Sequence, residues 1–282
     1  MAYSLAMKGA YTSDGSTLTF RDIGAGLPVV FLHPTPLDGE YWHPLTENLT
    51  SARAIVPDLR GHGRSALGTL PVGDFTLVPD APVLTMAQLT ADILTLLDHL
   101  HLQEVVFAGC SIGGYVLLEL WRQAPERVRG LAFVCSKPQP DTVADLARRA
   151  DMIAKVRAGG SAEIFDGMAQ TLVGTTARER YPEMVARLRA RMTLTPEALI
   201  AVQAGLAARP DSLPTVPNIS VPILAIAGGE DPGVTPAEMG AFHAAPGGCE
   251  FHILPDAGHF AAYEQPRKVA ALLTEWLPQL DD

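Results

Sequence analysis

Six short, mostly apolar runs recur along the chain: "LPVVFLHP", "ARAIVPD", "EVVFAG", "VRGLAFVCS", "PILAIAGG" and "CEFHILPD". Their apolar character is continuous rather than alternating, the pattern of strands covered on both faces of a mostly parallel sheet. Helix-like stretches separate them. In "TMAQLTADILTLLDHL", Leu89, Ile93, Leu96, Leu97 and Leu100 share one stripe, with Thr85 in the N-cap region. "EQPRKVAALLTEWLPQL" ends the chain in the same way, with a proline near its first turn. At the start, "SLAMKG" and "TLTFRDIG" flank "YTSDGS", which predicts a hairpin with an Asp-Gly turn. The fold class is therefore α/β.

The strand rhythm stops after "FVCSKPQPD". From about residue 141 to 216, amphipathic stretches follow one another: "TVADLARRADMIAKVRAG", "SAEIFDGMAQTLVG", "RERYPEMVARLRARM" and "TPEALIAVQAGLAARPD". This predicts an all-helical insertion between two sheet strands. "SLPTVPNISVP" returns the chain to the sheet, its prolines favouring extended backbone.

Charge narrows the partners. With 21 basic against 31 acidic side chains, the formal charge of −10 repels a polyanion, so nucleic acid is not an expected partner. The arginines from Arg148 to Arg191 alternate with acids, as on a solvated helical face. No apolar segment reaches the roughly 18 residues of a membrane span, and "MAYSLAMKGAYTSDG" lacks the pattern of a secretory signal. Cys110, Cys135 and Cys249 fall in apolar surroundings without paired spacing, so neither zinc nor a disulfide framework is indicated. A reducing, cytoplasmic setting is expected.

The chemistry centres on "VVFAGCSIGGYV". A strand, G-x-S-x-G and a helix in that order present a serine on a tight turn, with small residues two positions to either side. Gly109 and Gly113 supply them around Ser111, and the first helical N–H, from Ile112, faces a developing oxyanion. The competing reading makes Ser111 a helix N-cap. A second donor is expected from "FLHPTPLDGEYW": Pro34 and Pro36 have no N–H, which leaves Thr35. Leu37, Tyr41 and Trp42 either line an acyl pocket or pack a helix.

A serine nucleophile needs an imidazole to take its proton and a carboxylate to orient that imidazole. "PILAIAGGEDPGVTP" delivers Glu230 and Asp231, and "FHILPDAGHFAAYEQP" delivers His259. Asp231 is favoured over Glu230 because its shorter side chain holds the ring more rigidly; Asp256 and Asp141 rank next. Of the other histidines, His33 and His62 are expected to brace loops, and His99, His101, His243 and His252 to pack or lie on the surface. The chain order serine, acid, histidine differs from that of chymotrypsin and of subtilisin.

The set "HPTP", "DLRGHGRS", "GCSIGG", "GGEDPGVTP" and "DAGHFAAYEQP" resembles the α/β-hydrolase superfamily, in particular its branch of 3-oxoadipate enol-lactonases and carboxylesterases. The resemblance spans the chain and is weakest in the helical stretch. It implies an eight-stranded, mostly parallel sheet formed by residues 1–138 and 217–282, with a helical cap at 139–216 inserted after strand six. It assigns Ser111 as nucleophile, Asp231 as acid, His259 as base, and Thr35 and Ile112 as oxyanion donors. The chain departs from the family's usual His-Gly loop in having His33-Pro34. Serine rather than aspartate as nucleophile disfavours epoxide opening and dehalogenation.

The expected activity is ester or lactone hydrolysis through an acyl-enzyme, on a small-molecule substrate with a largely apolar acyl group, without metal or organic cofactor. Alternatives are amide or carbon–carbon cleavage, cofactor-free perhydrolysis, or a non-catalytic small-molecule receptor on the same fold. In the cap, Met152, Ile153, Phe165, Met168 and Leu172 are expected to serve packing more than the pocket, and Arg148 and Arg149 the surface more than a substrate carboxylate. The oligomeric state is not legible.

Overall fold

A computed structural model describes residues 8–11, 14–70 and 80–280. The first strand, β1 (Lys8–Tyr11), pairs antiparallel with β2 (Thr17–Ile23) across Asp14-Gly15, where Gly15 has a φ of 79°. The predicted hairpin forms there; Ser4 to Met7 of its first arm lie outside the described residues. Then follow β3 (Leu27–Leu32), α1 (His43–Thr46), β4 (Ala52–Pro57), α2 (Met86–His99), β5 (Val105–Cys110), α3 (Ile112–Gln123) and β6 (Val128–Val134). Five helices come next: α4 (Val143–Arg157), α5 (Ser161–Leu172), α6 (Thr175–Arg180), α7 (Pro182–Ala190) and α8 (Pro196–Ala207). The chain ends with β7 (Ile223–Gly228), α9 (Pro236–Met239), β8 (Cys249–Leu254), α10 (Ala261–Glu264) and α11 (Pro266–Trp276).

The eight strands form one sheet in the order β1-β2-β4-β3-β5-β6-β7-β8. β1 and β2 are antiparallel to their neighbours, and the remainder are parallel. β3, β5, β6 and β7 are the covered centre that their continuous apolar runs require. β8 departs from that expectation: it is the edge strand, half-buried along most of its length, with Ile253 exposed. Its polar Glu250 and His252 pair with each other instead of meeting a second layer.

From β3 the chain moves outward to β4 and then returns past β3 to β5. Parallel sheets bind ligands beyond the carboxyl ends of their strands at such a reversal. Register fixes what meets there: Leu32 and Phe133 both flank Gly109. The loop after β3, the turn after β5 and the loop after β6 therefore emerge side by side.

Four amphipathic stretches became five helices because Pro182 divides the third. Proline disfavours helical backbone in the residue before it, and Tyr181 leaves the helical region (φ −137°, ψ 60°) between α6 and α7. The helical run is tied at its two ends, where Ser212 N–H donates to Pro138 O (2.9 Å) and the Arg209 guanidinium to Asp141 and Gln139 O. Among the described residues, no helix is long and apolar enough to cross a membrane.

Candidate active site

Ser111 occupies the N-cap position of α3 but makes no side-chain capping bond, so its hydroxyl is not spent on the helix. Its backbone (φ 53°, ψ −117°) lies where a non-glycine residue is strained, at about 1–3 kcal/mol. The turn closes only because its neighbours lack side chains. A Cβ on Gly109 would sit 2.5 Å from Gly113 C, and one on Gly113 would sit 2.2 Å from Leu32 O. Ser136 Oγ donates to Ser111 O (2.9 Å), which braces the turn from β6.

The Thr35 loop is held by two buried histidines. His33 Nε2 accepts from Leu59 N–H (2.9 Å), which leaves the proton on Nδ1 to donate to Pro34 O (3.0 Å). His62 Nδ1–H donates to Arg60 O (2.9 Å), so Nε2 accepts the Thr35 hydroxyl (3.0 Å). Burial lowers the pKa of both rings, His62 to about 3, where the neighbouring His33 adds to the effect. With both nitrogens engaged and the rings neutral, they brace the loop as expected and are not available as bases. Leu37, Tyr41 and Trp42 are fully buried, and the Tyr41 hydroxyl donates to Cys110 Sγ (3.2 Å).

His259 and Asp231 meet across the ends of β7 and β8. His259 Nδ1 lies 2.7 Å from Asp231 Oδ2, and both residues are only 6% exposed. Asp231 Oδ1 accepts Gly233 N–H (2.8 Å) and Val234 N–H (3.1 Å), which fixes the carboxylate in its own loop. An acceptor at Nδ1 places the imidazole proton there and leaves Nε2 with its lone pair. Burial pulls the imidazole pKa down, but the charge and hydrogen bond of Asp231 outweigh it, and the net shift is upward. The Cys110 thiol, one residue before Ser111, donates to His259 O (3.6 Å) and so sets the histidine loop against the serine turn.

The other carboxylates are committed elsewhere. Glu230 accepts Thr176 N–H (2.8 Å) and the Thr176 hydroxyl (2.6 Å), Asp256 is exposed, and Asp141 pairs with Arg149 and Arg209. That pairing corrects the surface role expected of Arg149: it is largely buried and also donates to Gln203 Oε1 (2.8 Å), because α4 packs on α8. Arg148 is exposed. Ile153 packs with Ala81, Val83 and Ala204, and Phe165 lies under Arg189. Among the described residues, no group of three His, Cys, Asp or Glu is placed to hold a metal ion.

Sequence reasoning missed Glu264, Cys110 and Cys135, whose side chains bond the backbone of the histidine loop. "EQP" and the apolar settings of the cysteines were visible, but their partners are set by packing between distant segments.

A sheet with this strand order, a strained serine turn after β5 and a paired acid and histidine after β7 and β8 define a hydrolase-type α/β architecture. The model of the alpha/beta hydrolase family matches residues 29–272, and the chain belongs to that family. It is similar to a thermophilic esterase from Thermogutta terrifontis, solved with malate bound, at 32% identity and a TM-score of 0.88, covering 98% of this chain and 100% of that one. It is 30% identical to 3-oxoadipate enol-lactonase 2 of Acinetobacter baylyi over 76% of this chain and 74% of that protein. The non-heme chloroperoxidase CPO-A1 of Kitasatospora aureofaciens matches at 33% identity over 45% of this chain and 43% of its own length.

Proposed function

We propose that the protein is a serine hydrolase of carboxylic esters or lactones. The observation that carries this reading is the Asp231–His259 pair set against a strained serine whose hydroxyl caps nothing. His259 Nε2 takes the Ser111 proton as Oγ attacks the carbonyl, and Asp231 holds the ring and stabilises its cation. The N–H groups of Thr35 and Ile112 receive the oxyanion. The alkoxide leaves with the proton from His259, and a lactone leaves its alcohol tethered to the acyl chain. Water, deprotonated by the same imidazole, then attacks the acyl-enzyme and releases the acid. Each step uses only these groups and water.

Residues 139–216 act as a cap over the sheet and shape the acyl pocket, and the substrate is a small molecule. The similarity to a chloroperoxidase supports a second reaction at the same acyl-enzyme, in which hydrogen peroxide replaces water and the product is a peracid. The test is steady-state hydrolysis of p-nitrophenyl esters of rising chain length and of several lactones, with Ser111→Ala alongside. Turnover by the wild-type protein and silence in the variant are expected. A folded wild-type protein that touches neither class would sink the reading and leave amide or carbon–carbon cleavage, or binding without chemistry.

A further inference from the structure

The loop that carries His259 belongs to no strand or helix, so its backbone polar groups must find partners elsewhere. Gly258 N–H (3.0 Å) and Phe260 N–H (3.2 Å), on either side of the histidine, both donate to the Glu264 carboxylate. His259 N–H donates to Leu172 O (2.8 Å), at the end of α5. The carbonyls of Gly258 and His259 accept the thiols of Cys135 (3.5 Å) and Cys110 (3.6 Å). Glu264 does more than bracket the histidine, because the oxygen that takes Gly258 N–H also takes Gly174 N–H (3.0 Å), between α5 and α6. One carboxylate, 7% exposed, thus satisfies three backbone donors from two segments more than eighty residues apart.

The fit leaves little freedom. A Cβ on Gly174 would lie 2.7 Å from Gly258 N and 2.9 Å from Glu264 Oε2. Such charge-assisted bonds are stronger than neutral ones, and removing a shared acceptor strands several buried donors together. We propose that Glu264 is a positioning residue for His259, fixing the imidazole's loop and locking it to the turn between α5 and α6. The proposal rests on the reading of His259 as the base.

Glu264→Gln keeps the size and removes the charge and one acceptor. Three charged groups act on the His259 ring: Asp231 and Glu264 raise its pKa and Lys137 lowers it. In the variant the ring, followed by NMR with isotope-labelled histidine and identified by its absence in His259→Gln, should titrate at lower pH than in the wild-type protein. Amide exchange at Gly174, Gly258 and Phe260 should quicken. On esters, kcat should fall about 10²-fold with KM little changed, as expected for a misplaced base. An imidazole titration and amide exchange equal to wild type would overturn the proposal. Neither readout needs turnover: if the wild-type protein hydrolyses nothing while both shift, the hydrolase reading fails and the positioning role stands. Should Glu264→Gln not fold, Gly174→Ala, which intrudes on the same oxygen and on Gly258 N while keeping the Glu264 charge, carries the amide-exchange readout at Gly258 and Phe260: faster exchange there is expected, and exchange equal to wild type overturns the proposal.

Discussion

At the scale of single residues, the proposed reaction depends on one proton being held on one nitrogen. Asp231→Asn offers Nδ1 a donor in place of an acceptor, so the imidazole presents its proton to Ser111 instead of a lone pair. A kcat about 10⁴-fold lower is expected, with the fold intact by circular dichroism. Ser111→Ala or His259→Ala alone should cost as much or more, because the groups act as a unit. The pH profile follows from the raised His259 pKa. The base works only when neutral, so kcat/KM should fall as pH drops through an apparent pKa above the ordinary imidazole value. The linked contribution to stability runs the other way: a raised histidine pKa stabilises the fold at pH below the unfolded value, and that contribution is lost as pH rises through the folded one. An acid limb below the ordinary imidazole value would contradict the Asp231 pairing. The Asp231–His259 pair and the serine turn were legible in the sequence because the roles proposed for them, nucleophile, acid and base, need particular residue types at strand ends. His33 and His62 were readable only as loop histidines, since the partner each meets through Nε2 lies 26 or 27 positions away.

At the scale of elements, close approach decides what substitutions are tolerated. Gly113→Ala drives a methyl into the carbonyl of Leu32, so α3 must part from β3. The loss should be on the order of 3 kcal/mol in a denaturant titration, with the proposed ester hydrolysis falling too as the serine turn shifts. Gly205 is the counterpart in α8: its Cβ would lie 1.7 Å from Leu84 O, on a segment that also donates from Leu84 N to Ala201 O (3.0 Å). The sequence showed both glycines but distinguished only the first, because G-x-S-x-G has a local geometric cause. Gly205 stands in a helix read as amphipathic, and the structure buries that helix almost all round. Periodicity reports a helix with one partner; α8 has α4 on one side and the Ala81–Leu84 segment on another.

At the scale of the molecule, the helical run and the sheet share one hydrophobic core. Phe165, Val173, Leu188, Met192 and Leu199 join the same cluster as Val30, Phe107 and Phe133 of the sheet. The sequence predicted an insertion from the loss of strand rhythm, but rhythm carries no record of which side chains of the inserted helices face the sheet. The polar connections run the same way: Arg209, almost fully buried, pairs with Asp141, donates to Gln139 O, and lies 4.4 Å over the ring of Tyr115 in α3. Removing one partner of a buried ion pair leaves the other charged and poorly solvated, at about 3–5 kcal/mol. Asp141 keeps Arg149 as a second partner, so Arg209→Ala should fall at the lower end, about 3 kcal/mol. If the shared core governs cooperativity, the urea midpoint drops with the slope unchanged, and tryptophan fluorescence and helix signal still report one transition. Two separated transitions in the variant would mean instead that Arg209 holds together two units that fold on their own, and that the apolar continuity between helices and sheet does not.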